Sequence, residues 1–113
     1  MHEMSLCEGI LQVLENSAEA QGFQRVKSVW LEIGQLAGVE QSALEFSFDV
    51  VTRGTLAENA ALNIINIPAD AWCLPCAKAV EIHQRFDPCP DCGSHQLQVQ
   101  GGDEMRIKEL EVE

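Results

Sequence analysis

The chain has 113 residues, 46% of them apolar, enough for one modest core or for one domain with a small attached module. Eighteen acidic residues against seven basic ones give a formal charge of −11, and the acids are spread along the chain. Nucleic-acid binding rests on Lys and Arg contacts to phosphate, so this balance argues against a nucleic-acid partner. No run approaches the length of a membrane span and no basic cluster with an apolar core opens the chain, so the expected compartment is a reducing cytoplasm, with no membrane association. Five cysteines in that setting point to metal binding or thiol chemistry and not to a disulfide framework.

Residues 4–20 read as an amphipathic helix. Met4, Cys7, Ile10, Leu11, Leu14 and Ala18 recur on one stripe, and Gly22 is placed to end it. "RVKSVWLEIG" follows, with Val29, Leu31 and Ile33 alternating, and reads as a half-buried strand closed by Gly34. Residues 35–41 are a loop. A second helix is expected at about 42–53, opened by a capping box of Ser42 and Glu45, with Leu44, Phe48 and Val51 inward and Gly54 as the stop. A strand is expected at about 61–67 before Pro68 breaks the ladder.

Residues 69–100 differ in composition. They hold four of the cysteines and three of the four prolines, with little apolar mass. Val80, Ile82 and Phe86 alternate, as do Leu97 and Val99, which suggests short strands. Gly101-Gly102-Asp103 is a turn signal. "EMRIKELEVE" reads as a last strand whose apolar phase flips between Ile107 and Leu110, implying a bulge near Lys108 and Glu109. The expected fold is α+β: two helices packed on a small, mainly antiparallel sheet, with an inserted four-cysteine, zinc-ribbon-like module. The expected division is an α/β domain at 1–68 plus 101–113 and a metal module at 69–100.

Cys73-Leu74-Pro75-Cys76 and Cys89-Pro90-Asp91-Cys92 are two C-x2-C pairs with twelve residues between them. Each pair can bend into a knuckle that aims both thiolates at one cation, and two knuckles close a tetrahedral site suited to structural zinc. Ligand type alone leaves a four-cysteine iron–sulfur site open. A redox C-x-x-C normally comes singly beside a βαβ pattern, which is lacking here. A module this poor in apolar residues should fold only with its metal. The stretch between the pairs has only Lys78 and Arg85 as basic residues, so contact with protein is the default for this module. His83 and His95 read as exposed polar residues. A sharper alternative has one of them replacing a thiolate under some condition. Cys7, on the inner stripe of the first helix, reads as a buried structural cysteine.

The opening "MHEMSL" carries a second candidate metal set. A terminal amine, the backbone nitrogen of His2 and its imidazole can close fused chelate rings on one cation. The amide nitrogen of Glu3 is a further donor, and the Glu3 carboxylate can bind or orient the imidazole. Backbone nitrogens must lose protons to bind, which planar nickel(II) or copper(II) favours. Alone this signal is weak, because a histidine in second place occurs by chance and termini fray.

Together, "MHEMSL", "VWLEIGQLAGVE", "SALEFSFDVV", "CLPC", "CPDCG" and "GGDEMRIKELEVE" resemble the hydrogenase nickel-insertion accessory proteins of the HypA/HybF family over essentially the whole chain. The resemblance implies a nickel metallochaperone with nickel(II) as cargo at Met1, His2 and Glu3, His2 being the main ligand. It also implies a structural zinc at Cys73, Cys76, Cys89 and Cys92. An acidic residue after the first strand completes the nickel site in some relatives. The matching position is Glu40, whose side chain is one methylene longer than the expected aspartate and can equally serve as a charge at the start of the second helix. Ala77 stands where a glycine commonly follows the first cysteine pair. The implied partners are a hydrogenase maturation GTPase and the precursor of the large subunit of nickel–iron hydrogenase, with urease maturation proteins for some members. No phosphate loop or nucleophile–base pair is visible, so the chain is not read as an enzyme. The rivals are a zinc-ribbon protein-interaction module without nickel function and a thiol oxidoreductase.

Overall fold

A computed structural model describes residues 2–113. The elements run α1 (His2–Gln21), β1 (Val26–Gly34), α2 (Gln41–Thr52), β2 (Ala61–Ile67), β3 (Ala69–Cys73), β4 (Lys78–Ile82), β5 (Leu97–Gly101) and β6 (Met105–Val112). The strands form two three-stranded sheets, ordered β2-β1-β6 and β4-β3-β5. The α+β reading therefore holds, with two sheets where one with an insertion was expected.

The chain divides into two compact units. The first comprises Met1–Leu31, Val39–Ile64 and Ile107–Glu113, and the second Glu32–Gly38 and Ile65–Arg106. The second unit is larger than the 69–100 stretch, because it takes in the end of β1, the loop after it and the start of β6. Two backbone bonds tie these pieces to one another: Gly34 N–H to the Glu104 carbonyl (2.8 Å) and Leu36 N–H to the Gly102 carbonyl (2.7 Å). The two backbones approach so closely that a Cβ on Gly34 would lie 2.2 Å from the Gly102 carbonyl carbon.

In the first unit, α1 turns Cys7, Ile10 and Leu14 inward, α2 contributes Leu44 and Phe48, and β1 contributes Val26, Val29 and Leu31, all buried. The helical and alternating patterns of the sequence are thus both used as core faces. α1 begins two residues earlier than expected, so His2 and Glu3 form its first turn. α2 is opened by Glu40 and not by Ser42. Glu45 instead accepts a bond from Gln41 Nε2 (3.4 Å). A glutamate just ahead of the helix bends back onto two free N–H groups, which displaces the capping box.

The second unit is built on β3, which pairs antiparallel with both β4 and β5. β3 escaped the sequence reading, although Ala69, Ala71 and Cys73 alternate inward. With Leu36, Val80, Ile82 and Cys89 they make the core of this unit. Phe86 does not extend β4. The Asp87 carboxylate accepts the N–H groups of His83 (3.2 Å) and Gln84 (3.0 Å), turning the chain immediately after Ile82. Phe86 is left 92% exposed with φ of 71°. In β6 both Lys108 and Glu109 are exposed between the half-buried Ile107 and Leu110, so the phase changes where the sequence places it, within one continuous strand.

Candidate metal centres

Cys73 ends β3, Cys76 lies in the turn to β4, and Cys89 and Cys92 sit on the connection to β5. Both knuckles close the same way: Ala77 N–H donates to the Cys73 carbonyl and Gly93 N–H to the Cys89 carbonyl, each at 2.8 Å. Both closing residues need left-handed backbone, with φ of 53° at Ala77 and 75° at Gly93. Glycine adopts this freely and alanine does not.

The four Sγ atoms all lie within 4.8 Å of one another. Cys73 and Cys92 approach to 3.6 Å, and Cys76 and Cys89 to 3.9 Å. A zinc–sulfur bond of about 2.3 Å puts the corners of a tetrahedron about 3.8 Å apart. The sulfur positions therefore fit a tetrahedral site of four thiolates. Asp91 N–H donates to Cys89 Sγ (3.4 Å), the kind of outer bond that supports a thiolate ligand.

The thiols are electrostatically mismatched as they stand. Hydrogen bonds from Cys92 and Cys73, with burial, push Cys76 up to about 12. Burial also raises Cys73. Burial opposes ionisation of Cys89 too, but the N–H groups of Cys92 and Asp91 outweigh it and bring the thiol down to about 7. Four clustered thiols cannot all ionise unaided, and a bound cation removes that conflict. Lys78 pairs with Asp91 across the two knuckles. The hydrogen bond to Asp91 foremost, and then the negative charge of Asp91 and of the nearby cysteines, keeps its ammonium protonated beyond the ordinary lysine range.

Neither neighbouring histidine joins this cluster among the described residues. His83 is exposed, with Nδ1 3.4 Å from Gln35 Nε2, and His95 is exposed as well. Cys7 is fully buried, its Sγ–H aimed at the Leu44 carbonyl at 3.5 Å. Burial pushes that thiol up to about 11, which makes it a packing residue and not a nucleophile.

At the start of α1 the His2 side chain is 54% exposed, while that of Glu3 is 11% exposed. His2 Nδ1 lies 3.5 Å from Glu3 Oε2. The same carboxylate oxygen accepts the backbone N–H of Glu40 at 3.1 Å, tying the first turn of α1 to the start of α2. That bond is the main reason Glu3 is held below the ordinary carboxylate value. Glu40 spends its own carboxylate on α2: Oε2 accepts Ala43 N–H (2.6 Å), and Oε1 accepts Ser42 N–H (3.3 Å) and Ser42 Oγ–H (2.9 Å). These bonds, led by Ala43, also hold Glu40 low. The structure thus brings Glu3 together with Glu40, an association the sequence spacing does not reveal. Met1 lies outside the described residues.

A family model described as hydrogenase/urease nickel incorporation, metallochaperone, hypA matches residues 1–112. The chain belongs to the HypA family. Hydrogenase maturation factor HypA of Azotobacter chroococcum is 62% identical over 113 residues, covering all of both chains. The HypA protein of the same description from Acidithiobacillus ferrooxidans is likewise 62% identical over the full length of both. The fold agrees as well. The solution structure of the Ni metallochaperone HypA from Helicobacter pylori superposes with a TM-score of 0.70 at 21% identity, covering 97% of this chain and 96% of that one. A second HypA solution structure gives 0.72 at 22% identity, covering 99% and 96%. HypA proteins are nickel metallochaperones of hydrogenase maturation, and this chain is a member by sequence and by fold. Among the described residues no helix is long and apolar enough to cross a membrane.

Proposed function

We propose that this HypA-family chain binds nickel(II) at its amino terminus and passes it on during maturation of nickel–iron hydrogenase. The full-length match to the nickel-incorporation family carries this reading. The ligand set is the Met1 amine, the backbone nitrogens of His2 and Glu3, and the His2 imidazole. The geometry of α1 supports it. The first N–H groups of a helix have no partner within it, so His2 and Glu3 can lose their amide protons without breaking a helical bond. The anionic nitrogens formed would sit at the positive end of the helix dipole. The exposed imidazole leaves the cargo open to exchange with an acceptor.

The Glu3 carboxylate, 3.5 Å from the Nδ1 that the chelate ring needs, would hold the imidazole in place until nickel takes that nitrogen. Glu40 would join the nickel only by giving up its bonds to Ser42 and Ala43, so it is assigned the α2 cap first and a nickel contact second. Cys73, Cys76, Cys89 and Cys92 would hold one structural zinc, with all four positions filled by thiolate and none left for chemistry. Zinc would supply neutralising charge and a crosslink between the knuckles. The acceptors in this reading are a maturation GTPase and the hydrogenase large-subunit precursor in the cytoplasm, with urease maturation proteins as a further destination.

The cellular test is complementation. A strain lacking its own HypA should regain hydrogenase activity with the wild-type chain and not with His2→Ala, when both are expressed equally at low nickel. Full activity with His2→Ala would remove the nickel reading and leave the zinc-ribbon interaction module in its place.

A further inference from the structure

Lys78 opens β4, and its Cα partner across the ladder is Cys73. Residues directly opposite in an antiparallel pair project to the same face. The Lys78 stem therefore rises on the face from which Cys73 offers its sulfur. Its ammonium then reaches Asp91, which lies between the two cysteines of the other knuckle. Asp91 in turn donates its N–H to Cys89 Sγ at 3.4 Å. One ion pair thus joins both knuckles at the rim of the sulfur cluster.

Exposed ion pairs contribute little to stability, and this one is half exposed at both ends, so a clamp is a poor account of it. Charge offers a better one. Four thiolates around a divalent cation leave a net charge of −2. Lys78 and Arg85 are the only basic residues between Cys73 and Cys92. Arg85 faces the carbonyl of Leu36 at 3.5 Å, whereas the ion pair with Asp91 holds the Lys78 ammonium beside the second knuckle.

We propose that Lys78 is the outer-sphere cation of the zinc site: its ammonium, aimed by Asp91, offsets the charge of the four thiolates and slows their attack on electrophiles. The role is one of positioned charge, and Lys78 touches no metal. It rests on the four-thiolate zinc reading given above.

The test follows zinc release from the full-length, zinc-loaded protein on treatment with iodoacetamide, a neutral electrophile. A thiolate attacks the methylene carbon, a C–S bond forms, the C–I bond breaks and iodide leaves. The resulting thioether binds zinc poorly, and freed zinc is read with a colorimetric chelator. Lys78→Met should release zinc about 3- to 10-fold faster than wild type at low salt. Lys78→Arg should stay within about twofold of wild type, because the charge is kept. The excess rate of Lys78→Met should shrink as salt is raised, which a loss of packing would not produce. Equal rates for Lys78→Met and wild type, or an Arg variant as fast as the Met variant, would overturn the proposal. Zinc content separates the two layers. Wild-type protein without stoichiometric zinc would defeat the zinc reading itself, whereas full zinc with equal rates would defeat only the role of Lys78.

Discussion

Replacing Ala77 by glycine should stabilise the zinc-loaded module. Ala77 closes the first knuckle with φ of 53°, whereas its counterpart Gly93 closes the second with φ of 75°. An L-residue in left-handed backbone is disfavoured by roughly 1–2 kcal/mol. Glycine gives back about 0.4–1 kcal/mol through the greater freedom of the unfolded chain. The Ala77 methyl is exposed, so little packing is lost, and the Ala77 N–H bond to the Cys73 carbonyl is kept. The net gain is about 0.5–1 kcal/mol, equivalent to about two- to fivefold tighter zinc if the gain appears in the metal-bound state. Competition with a chromophoric chelator measures this. The reciprocal change Gly93→Ala should weaken zinc by a similar factor, and Ala77→Val should weaken it further than the parent. Unchanged or weaker zinc in Ala77→Gly would mean that the backbone at Ala77 is not left-handed when metal is bound, and the predicted gain would have no basis.

Stripping the metal with a strong chelator should melt the second unit, seen as collapse of the dispersed amide signals of β3, β4 and β5, while those of α1 and α2 persist. Structural zinc supplies roughly 10–16 kcal/mol of apparent binding energy to small modules, more than this short core can replace. Gly102→Ala should destabilise the same unit strongly, by more than about 2 kcal/mol, because a Cβ there would lie 2.4 Å from Ala69 Cα at φ of 84°. Thermal unfolding of the variant checks this. Glu3 and Glu40 are both held below 4.5 in the folded chain. Their contribution is therefore complete above 4.5 and is lost as pH falls through their lower folded values. Glu40→Gln should lower the melting temperature at neutral pH, and the gap to wild type should close in acid. A gap that widened in acid would reverse the sign of this effect.

The parts of the molecule legible in the sequence were those whose signal is local. The stripe Cys7, Ile10, Leu14 and the alternation Val29, Leu31, Ile33 each face a core, as their periods require. The two C-x2-C pairs converge because each knuckle is a short-range turn. What was missed depended on contacts distant in sequence. Ser42 and Glu45 satisfy the capping pattern, yet Glu40 takes the cap while its own N–H is held by Glu3, 37 residues away. β3 is made of small residues, Ala69 and Ala71, with weak strand propensity, and exists because β4 and β5 flank it on both sides. Phe86 fits the alternation of Val80 and Ile82, but the bonds to Asp87 end the strand before it. Leu36, read only as loop, is buried in the core of the cysteine unit.

Nickel binding at the start of α1 is the point on which the functional reading turns, and one titration addresses it. Nickel(II) is added to zinc-loaded protein with an untagged amino terminus while the visible absorption of planar nickel is followed, and the same is done with His2→Ala. A saturable planar signal at one nickel per chain is expected, and it should vanish in His2→Ala with zinc content unchanged in both. Identical nickel binding by the two proteins would contradict the reading, and His2 and Glu3 would then be an ordinary first turn of α1.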